Sequence, residues 1–458
     1  MNVDAVSSWL DEHAITWVRT EGVTIDGMVI GKHLHRSKFV GSLPNGNPIS
    51  EIAYGMDLGG TPYLAWWPSW RRDALGDFVQ RPDLATLRAL PNRPGVATVM
   101  VDHYDLAGTP LPVCPRALLT SIVDRIGARG HSVVASFELE GILFVDSIEA
   151  ARRRNFRGLT PMSHPAAIGY SIYNSAQQAE FFDALLPRLD ALGIAIEGWH
   201  DEAAPGQFEV NFMPTGAVEA ADAIVRTKQA IRELALERGC SVTFMAKPID
   251  AYGNGLHVHH SLRGLADDVP AFLHADGNMT GLMQHWLAGI VATMPAATSV
   301  LTPTINSFRR MVGWAAAPTT ATWAEDNKST GVRVLTRSPK SARIEHRVAS
   351  GDANPHLVLA TVLAGGLAGL EADVDLPAPL MVAGWGLPDG WPHLPNTIRV
   401  AADELSANVA LRAQLGDEFV DHWVESRKWE WLMFHTTGGD ASADGVTDWE
   451  LQRSFELG

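Results

Sequence analysis

The 458-residue chain has little cysteine, little excess basic charge and no long uninterrupted apolar run. Its two cysteines, Cys114 and Cys240, cannot build a disulfide framework and are typical of a reducing compartment. Lysine and arginine number 36 against 52 aspartate and glutamate residues, giving a formal net charge of −16. So acidic a chain is poorly suited to nucleic acid or to an anionic membrane surface. We therefore expect neither as a partner.

No segment predicts export or membrane insertion. The first residues carry acids where a signal peptide needs a basic start and an apolar core. The longest apolar stretch, residues 357–370, is interrupted by three glycines and is too short to span a bilayer. It predicts a buried core helix. The hydrophobic content of 46% also excludes a disordered chain, and we expect a cytoplasmic, folded protein.

The order of sequence patterns predicts an α+β fold in two domains. Short apolar runs separated by turn signals fill residues 13–105, and a segment rich in proline and glycine follows. Beyond it, helical periodicity alternates with strand-like runs that often follow one another without a crossover helix. We expect a small, mostly β domain over residues 1–108 and a larger domain over 109–458. The predicted strands of the larger domain include 133–144, 243–262 and 331–348, and its predicted helices include 176–192, 217–238, 282–294, 355–370 and 398–415.

Two strand-like runs carry ionisable side chains at a spacing of two residues. Glu138 and Glu140 share one strand face, where two carboxylates repel unless a cation or a proton holds them. His257 and His259 have the same spacing and follow a glycine-flanked asparagine, Asn254. Each pattern alone also fits an ordinary strand face, half-buried or exposed. Together they favour a metal site.

A third run alternates Arg343, Glu345 and Arg347 in a chain that is only 19% charged. Further basic residues precede it: Arg309, Arg310, Lys328, Arg333 and Arg337. A basic cluster converging on carboxylates and histidines suggests a phosphorylated anion bound beside a divalent metal, and the alternative is a surface salt-bridge ladder. Carboxylates with few imidazoles suit Mg²⁺ or Mn²⁺ better than structural zinc. No Walker-A or dinucleotide fingerprint occurs, so metal and arginines would have to hold any nucleotide.

Taken in order, six segments of the chain resemble the glutamine synthetase family. They are Phe137-Glu-Leu-Glu140, His200-Asp-Glu202 with Gly206-Gln-Phe-Glu209, Gly253-Asn-Gly-Leu-His-Val-His259, Asn306-Ser-Phe-Arg-Arg310, Asn327-Lys-Ser-Thr-Gly-Val-Arg333 and Arg343-Ile-Glu-His-Arg347. The resemblance covers nearly the whole chain. It implies a β-grasp-like N-terminal domain and a catalytic domain with a curved antiparallel sheet and helices.

The resemblance also assigns roles to particular side chains. It implies two or more Mg²⁺ or Mn²⁺ ions per site, one held by Glu140, Glu202 and Glu209 and another by Glu138, His257 and Glu345. It implies ATP contacts from His259, Ser261 and Arg343, and glutamate contacts from Gly253, Arg310 and Arg347. Lys328 and Arg333 would face the transferred phosphate, and these two with Arg310 are the implied catalytic residues.

The implied reaction is ATP-dependent formation of γ-glutamyl phosphate from L-glutamate, followed by attack of an amine to give a γ-glutamyl amide. Metal ions would neutralise the two anions that must meet. The family also implies a homo-oligomer, a dodecamer of two hexameric rings.

Departures from the family pattern bear on the amine. Ala316 stands where glutamine synthetases carry a flap glutamate, and a desolvated ammonium ion without a carboxylate is costly. Trp199, Tyr252 and Trp314 suggest an aromatic-lined pocket. We therefore expect an alkyl- or arylamine, larger and more apolar than ammonia, and a role in amine catabolism.

Other interpretations stay open at this stage. An acid from another loop could replace Ala316, which would favour a genuine glutamine synthetase using ammonia. Polyamine or ethanolamine γ-glutamylation is a further possibility, although a polyamine should require acids that the flap lacks. A non-catalytic relative would not be expected to keep all six metal-ligand positions.

Overall fold

The computed structural model describes residues 1–63, 76–163, 169–312, 317–372, 374–387, 390–440 and 445–457. Two β-sheets and a set of helices build this part of the chain. The strands are β1 (Trp17–Val23), β2 (Val29–Ile30), β3 (His33–His35), β4 (Asn47–Ser50), β5 (Asp77–Pro82), β6 (Arg88–Ala89), β7 (Val96–Tyr104), β8 (His131–Phe144), β9 (Ile196–Asp201), β10 (Gln207–Phe212), β11 (Thr215–Gly216), β12 (Ser241–Thr243), β13 (Leu256–Gly264), β14 (Trp323–Glu325), β15 (Val332–Leu335) and β16 (Arg343–His346). The α-helices are α1 (Val3–Glu12), α2 (Arg36–Ser42), α3 (Pro115–Gly127), α4 (Ile148–Arg153), α5 (Ile172–Ala191), α6 (Ala217–Arg238), α7 (Gly281–Leu301), α8 (Ile305–Arg310), α9 (Pro355–Ala372), α10 (Ile398–Ala407), α11 (Val409–Leu415), α12 (Asp417–Thr437) and α13 (Asp448–Ser454).

The N-terminal sheet has the strand order β2-β1-β7-β5-β4, with β3 on β1 and β6 on β7. Strands β1 and β7 are parallel, and the other pairs are antiparallel. Helix α1 packs Val6 and Leu10 against Val18 and Val99 of these two strands, which closes a small separate core. The mostly β character predicted for residues 13–105 is confirmed, with α2 as an addition.

The larger sheet has the order β14-β15-β16-β13-β8-β10-β9, and β11 and β12 also pair with β8. Strands β13 and β8 run antiparallel from the pair Leu256–Leu139 to the pair Gly264–His131. Only β14 and β15 are parallel among its pairs in the described residues. The α+β class is therefore confirmed, and the central strands are the ones that carry the ionisable motifs.

Helices α7 and α9 cross in the main core at a point where only glycine fits. A Cβ on Gly289 would lie 2.3 Å from the carbonyl oxygen of Gly365, so the two backbones touch. Helix α9 is long and apolar enough to cross a membrane by length and composition, but 83% of its apolar window is buried inside the protein. It is thus the buried core helix that the sequence predicts.

A cluster of ion pairs joins the N-terminal sheet to helices α3, α6 and α9. Arg116 of α3 contacts Asp83 and Asp102 of the N-terminal region at 2.6 and 2.9 Å, and Asp222 of α6 at 3.0 Å. His356 of α9 lies 2.8 Å from the same Asp222. A buried charge needs such partners, so this cluster fixes the N-terminal sheet against the helices.

Three predicted elements were too long. The strand predicted over 243–262 is β12 and β13, separated by an irregular segment that contains Gly253. The strand predicted over 331–348 is the hairpin of β15 and β16. The helix predicted over 398–415 breaks at Asn408, whose side chain accepts a hydrogen bond from Leu411 and so starts α11.

Candidate active site

A polar cavity of about 240 Å³ opens over the face of β8, β10 and β13. Ten of the sequence-predicted positions and four unpredicted ones line it. The lining residues include Glu138, Glu140, Tyr170, His200, Glu202, Glu209, Asn211, Gly253, His257, Arg310, Ala317, Lys328, Arg333 and Arg347. Glu138, Glu140 and Glu209 reach it from β8 and β10, whereas Arg310 and Lys328 reach it from α8 and from the segment before β15.

Strand register brings the acids together. Glu209 lies directly opposite Glu140 in the β10–β8 pair, and Glu138 lies opposite His257 in the β8–β13 pair. The Nδ1 atom of His257 is 2.9 Å from Glu138 Oε2, and its Nε2 atom is 4.0 Å from Glu140 Oε1. Such close spacing of carboxylate and imidazole groups matches the ligand chemistry of a hard divalent cation.

Three overlapping groups each have their ligand atoms within 4.8 Å of one another. They are Glu138 with His259 and Glu345, Glu138 with Glu209 and His257, and His200 with Glu202 and Glu209. The six residues predicted as ligands all lie in or beside these groups. Glu138 and Glu209 each belong to two groups, His200 and His259 join them, and the predicted division of the ligands into two triads stays a prediction.

Burial and the crowding of acids raise the pKa of Glu140. Burial raises its pKa, the neighbouring Glu209 and Glu202 raise it further, and Arg310 opposes them, with a result of about 8. Burial and Glu209 likewise raise the pKa of Glu202. Bound divalent cations would remove this repulsion, so the residues present fit the metal ions that the family implies.

A hydrogen-bonded frame holds Glu140 in spite of the repulsion. Its Oε2 atom accepts from the Gly255 backbone amide at 2.7 Å and from Gln207 Nε2 at 3.0 Å. The same Gln207 amide group donates to the Gly253 carbonyl at 3.0 Å and to Asn254 Oδ1 at 3.1 Å. Hydrogen bonds therefore connect the glycine turn to the Glu140 carboxylate, a predicted metal ligand.

Glu345 pairs with two of the arginines at the site. It is fully buried, and its Oε2 accepts from Arg333 Nη1 at 3.0 Å while Oε1 accepts from Arg347. Arg310 is also buried and donates to the Val348 carbonyl at 3.0 Å. This burial excludes the surface salt-bridge ladder. Arg310, Arg333 and Arg347 instead line one cavity with Lys328, where they can hold anions.

A second cleft, of about 630 Å³, adjoins the first and shares Glu138 with it. His259, Ser261 and Arg343 line this cleft together, as the predicted nucleotide contacts would have to. Arg343 Nε lies 3.3 Å from His259 Nδ1, and His259 Nε2 lies 3.0 Å from Glu138 Oε1. A nucleotide in this cleft would lie beside Glu138, one of the predicted metal ligands.

Four residues that line the cavity were not predicted as site residues: Tyr170, His200, Asn211 and Ala317. His200 Nε2 lies 3.1 Å from Glu209 Oε1, and the ring of Tyr170 lies 4.7 Å from the His200 ring. Burial alone would lower the pKa of His200, but the hydrogen bond and charge of Glu209 raise it to about 9. The position of His200 next to Glu202 was a usable signal. Tyr170 follows no pattern, and its backbone φ of 67° is unusual for a residue with a side chain.

The predicted aromatic pocket is wrong for Trp199. This residue lies opposite Val210 on the strand face away from His200, and its ring stacks on Phe182 of α5 at 4.0 Å. Alternation along β9 therefore places it against the core. Tyr252 is 42% exposed and does not line the cavity. Trp314 and Ala316 lie outside the described residues.

Comparison with known proteins identifies the family. The family model for the glutamine synthetase catalytic domain matches residues 112–453. Type-1 glutamine synthetase 2 of Dictyostelium discoideum is 31% identical over 96% of this chain and 84% of its own length. The γ-glutamylethanolamide synthetase of Streptomyces coelicolor is 34% identical over 85% of this chain and 81% of its own.

Two further matches extend the comparison to the whole chain. The glutamate–isopropylamine ligase of a Pseudomonas species is 29% identical over 99% of this chain and 97% of its own length. A solved structure of GmaS with ADP shares the fold, with a TM-score of 0.82 over 97% of both chains at 24% identity. From the family model and these relatives, with the six ordered motifs gathered in one cavity, this chain belongs to the glutamine synthetase family.

Proposed function

We propose that the protein is an ATP-dependent ligase that joins L-glutamate to an amine through γ-glutamyl phosphate. The observation that carries the proposal is the pair of adjoining cavities that share Glu138. One cavity has the dimensions and basic residues for a nucleotide. The other combines a carboxylate cluster with three arginines, as a site for glutamate and its phosphorylated form requires.

Within this proposal, one pair of basic residues binds the glutamate and another pair binds the transferred phosphoryl group. Arg310 and Arg347 bind the glutamate carboxylate, with the backbone of Gly253 close beside Arg310. Lys328 and Arg333 face the transferred phosphoryl group and stabilise its charge. Mg²⁺ or Mn²⁺, held by Glu138, Glu140, Glu202, Glu209, His257 and Glu345, would supply further charge neutralisation. The amine nitrogen then attacks the γ-carbonyl, phosphate leaves, and the nitrogen loses a proton.

We further propose a monoamine larger than ammonia as the nitrogen substrate. Among the described residues, every carboxylate that lines the cavity belongs to the proposed metal-ligand set. None is left for the second ammonium group of a polyamine. Tyr170 and His200 provide an aromatic wall that suits an alkyl or aryl substituent. The relatives named for ethanolamide and isopropylamide synthesis support such a substrate, and amine catabolism would be the corresponding role.

A homo-oligomer of two hexameric rings completes the proposal. Two large apolar side chains at the start of α5, Ile172 and Tyr173, are 83% and 73% exposed close to Tyr170. Such exposed apolar side chains are frequent in subunit interfaces. Light scattering at micromolar concentration tests this, since a monomeric mass would contradict it.

The function is tested by ATP-dependent phosphate release with L-glutamate and Mg²⁺. The amine panel comprises ammonia, methylamine, ethanolamine, isopropylamine, aniline and putrescine, and product mass identifies the amide. We expect turnover with a monoamine and at least tenfold lower kcat/KM with ammonia and putrescine. Arg333→Met should abolish turnover, whereas Arg238→Met, an exposed arginine at the end of α6, should not.

Other outcomes select other functions. Turnover with ammonia alone would establish a glutamine synthetase, which the Dictyostelium relative makes the second candidate. Ala316→Glu then gives a cross-check, because an added acid should raise activity with ammonia and lower it with a bulky amine. No turnover with any amine and no thermal shift with Mn²⁺ would refute the ligase.

A further inference from the structure

Lys228 lies in the middle of α6, behind the sheet that carries the candidate active site. Its side chain is only 7% exposed, although an unpaired lysine is among the residues least often buried. Its Nζ atom donates to the Gly351 carbonyl at 2.5 Å and lies 5.3 Å from the centre of the Phe244 ring. A buried cation of this kind is costly, so a specific geometric role is the natural explanation.

The contact with Gly351 leads directly to the glycine turn of the site. The Gly351 backbone amide donates to the Asn254 carbonyl at 2.9 Å. A Cβ on Gly351 would lie 2.7 Å from the Phe244 carbonyl and 2.9 Å from Asn254 Cβ, so the segments are in close contact. Lys228 therefore fixes the backbone that lies immediately against Asn254.

The Gly253–Gly255 turn lies directly against three side chains of the candidate active site. Gly255 donates its amide to Glu140, and a Cβ on Gly255 would lie 2.8 Å from Arg310 Nη2, 3.0 Å from His257 Nε2 and 3.1 Å from Glu140 Oε1. Any displacement of this turn thus changes the separation of a carboxylate, an imidazole and an arginine together. The path from Lys228 to these groups passes through only Gly351 and Asn254.

We propose that Lys228 is a positioning residue, which holds the Gly253–Gly255 turn so that Glu140, His257 and Arg310 keep their distances. The effect of Lys228 on metal binding does not depend on the proposed function, whereas its effect on glutamate binding rests on that function. The charged groups around it are Arg232 and Asp352. Burial and Arg232 lower the pKa of Lys228 to about 7 against the opposing effect of Asp352, and the neutral amine remains a hydrogen-bond donor.

The nucleotide cleft provides an internal control. Ser261 is six residues from Gly255 along β13, roughly 20 Å at the rise of a strand. Ser261 pairs with Val134 of β8, and Arg343 on β16 pairs with Leu335 of β15, so strand pairing holds both of them. Loss of Lys228 should therefore affect the metal and glutamate sites selectively and leave the nucleotide site intact.

The test compares Lys228→Met, which removes the donor at similar volume, with Lys228→Arg, which retains a donor. Lys428→Met on α12 is the matched control for the chemical change, because Lys428 pairs with Glu425 at 3.0 Å and is not among the residues that line either cavity. We expect Lys228→Met to raise the KM for glutamate and the Kd for Mn²⁺ at least tenfold, with the KM for ATP changed less than twofold. Lys228→Arg should recover part of the loss, and Lys428→Met should match the wild type.

Equal changes in the KM values of glutamate and ATP, or no change in Mn²⁺ affinity, would overturn the proposal. Circular dichroism and the Tm report whether each variant folds. If Lys228→Met does not fold, Lys228→Gln must show the same selective loss, and an unselective loss refutes the role. If the wild type turns over no amine, the Mn²⁺ titration still decides the positioning role, because it needs no activity.

Discussion

Divalent metal binding to this protein should be strongly linked to proton release, because Glu140 holds a proton in the metal-free site. Its pKa is raised to about 8 by burial and by the carboxylates of Glu209 and Glu202, whereas the metal-bound form requires the ionised carboxylate. At pH 6 about 1% of Glu140 is ionised, and at pH 8 about half. The apparent affinity for Mn²⁺ should therefore rise about 50-fold between these pH values.

Isothermal titration calorimetry with Mn²⁺ measures both quantities. Titrations at pH 6, 7 and 8 give the affinity, and two buffers of different ionisation enthalpy give the number of protons released. We expect close to one proton per bound ion at pH 6 to 7 from Glu140, in addition to any from His200, whose pKa is about 9. Glu140→Gln is the matched variant, since it keeps the size of the side chain and cannot ionise.

The raised pKa of Glu140 also makes the folding stability of the metal-free protein depend on pH. The folded-state pKa of Glu140 lies above its ordinary value of 4.5, so the metal-free folded protein binds the extra proton between pH 4.5 and 8. Its stability contribution is present below pH 4.5 and is lost as the pH rises through 8. Mn²⁺ should restore the Tm most at pH 8. An Mn²⁺ affinity that is constant from pH 6 to 8, with no proton release, would refute the reasoning.

Three further predictions concern other parts of the structure. Gly255→Ala should fold but bind Mn²⁺ at least tenfold more weakly, because its Cβ would meet the side chains of Arg310, His257 and Glu140. Gly253→Ala should instead lower the Tm, because its Cβ would lie 2.4 Å from the Ala246 carbonyl oxygen. Equal Tm values for the two variants would contradict this. Burial lowers the pKa of His103 to about 3, so between pH 6.5 and 3 the unfolded chain binds a proton that the folded protein does not, and the folded protein loses stability as the pH decreases. In urea unfolding, the free energy of unfolding of His103→Asn should therefore decrease by about 2 kcal/mol less than that of the wild type between pH 6.5 and 5. Equal decreases for the two proteins would contradict this prediction. Tyr170→Ala should raise the KM for the amine at least fivefold in steady-state assays with little effect on the KM for ATP, and an unchanged amine KM would remove Tyr170 from the amine site.

The local sequence was sufficient for the ligand-bearing strands. The spacing of two residues in Glu138–Glu140 and His257–His259 depends only on strand geometry, and both pairs lie on strands as predicted. The buried helix α9 follows from its composition in the same way. Element ends were less predictable, because the irregular segment before β13 and the break at Asn408 are set by hydrogen bonds to distant or capping groups.

Which residues meet was decided only by the tertiary structure. Strand register places Glu209 beside Glu140, and the facing of β9 sends His200 into the cavity and Trp199 into the core, although the two are neighbours in the chain. Tyr170 enters the site from the segment before α5, and Lys228 reaches Gly351, which is hydrogen-bonded to the glycine turn, from behind the sheet. The sequence by itself determined the family, the α+β class and the types of chemical group, because these depend on composition, order and period. The pairing of those groups depends on contacts between residues far apart in the chain, which only the packed sheet and helices define.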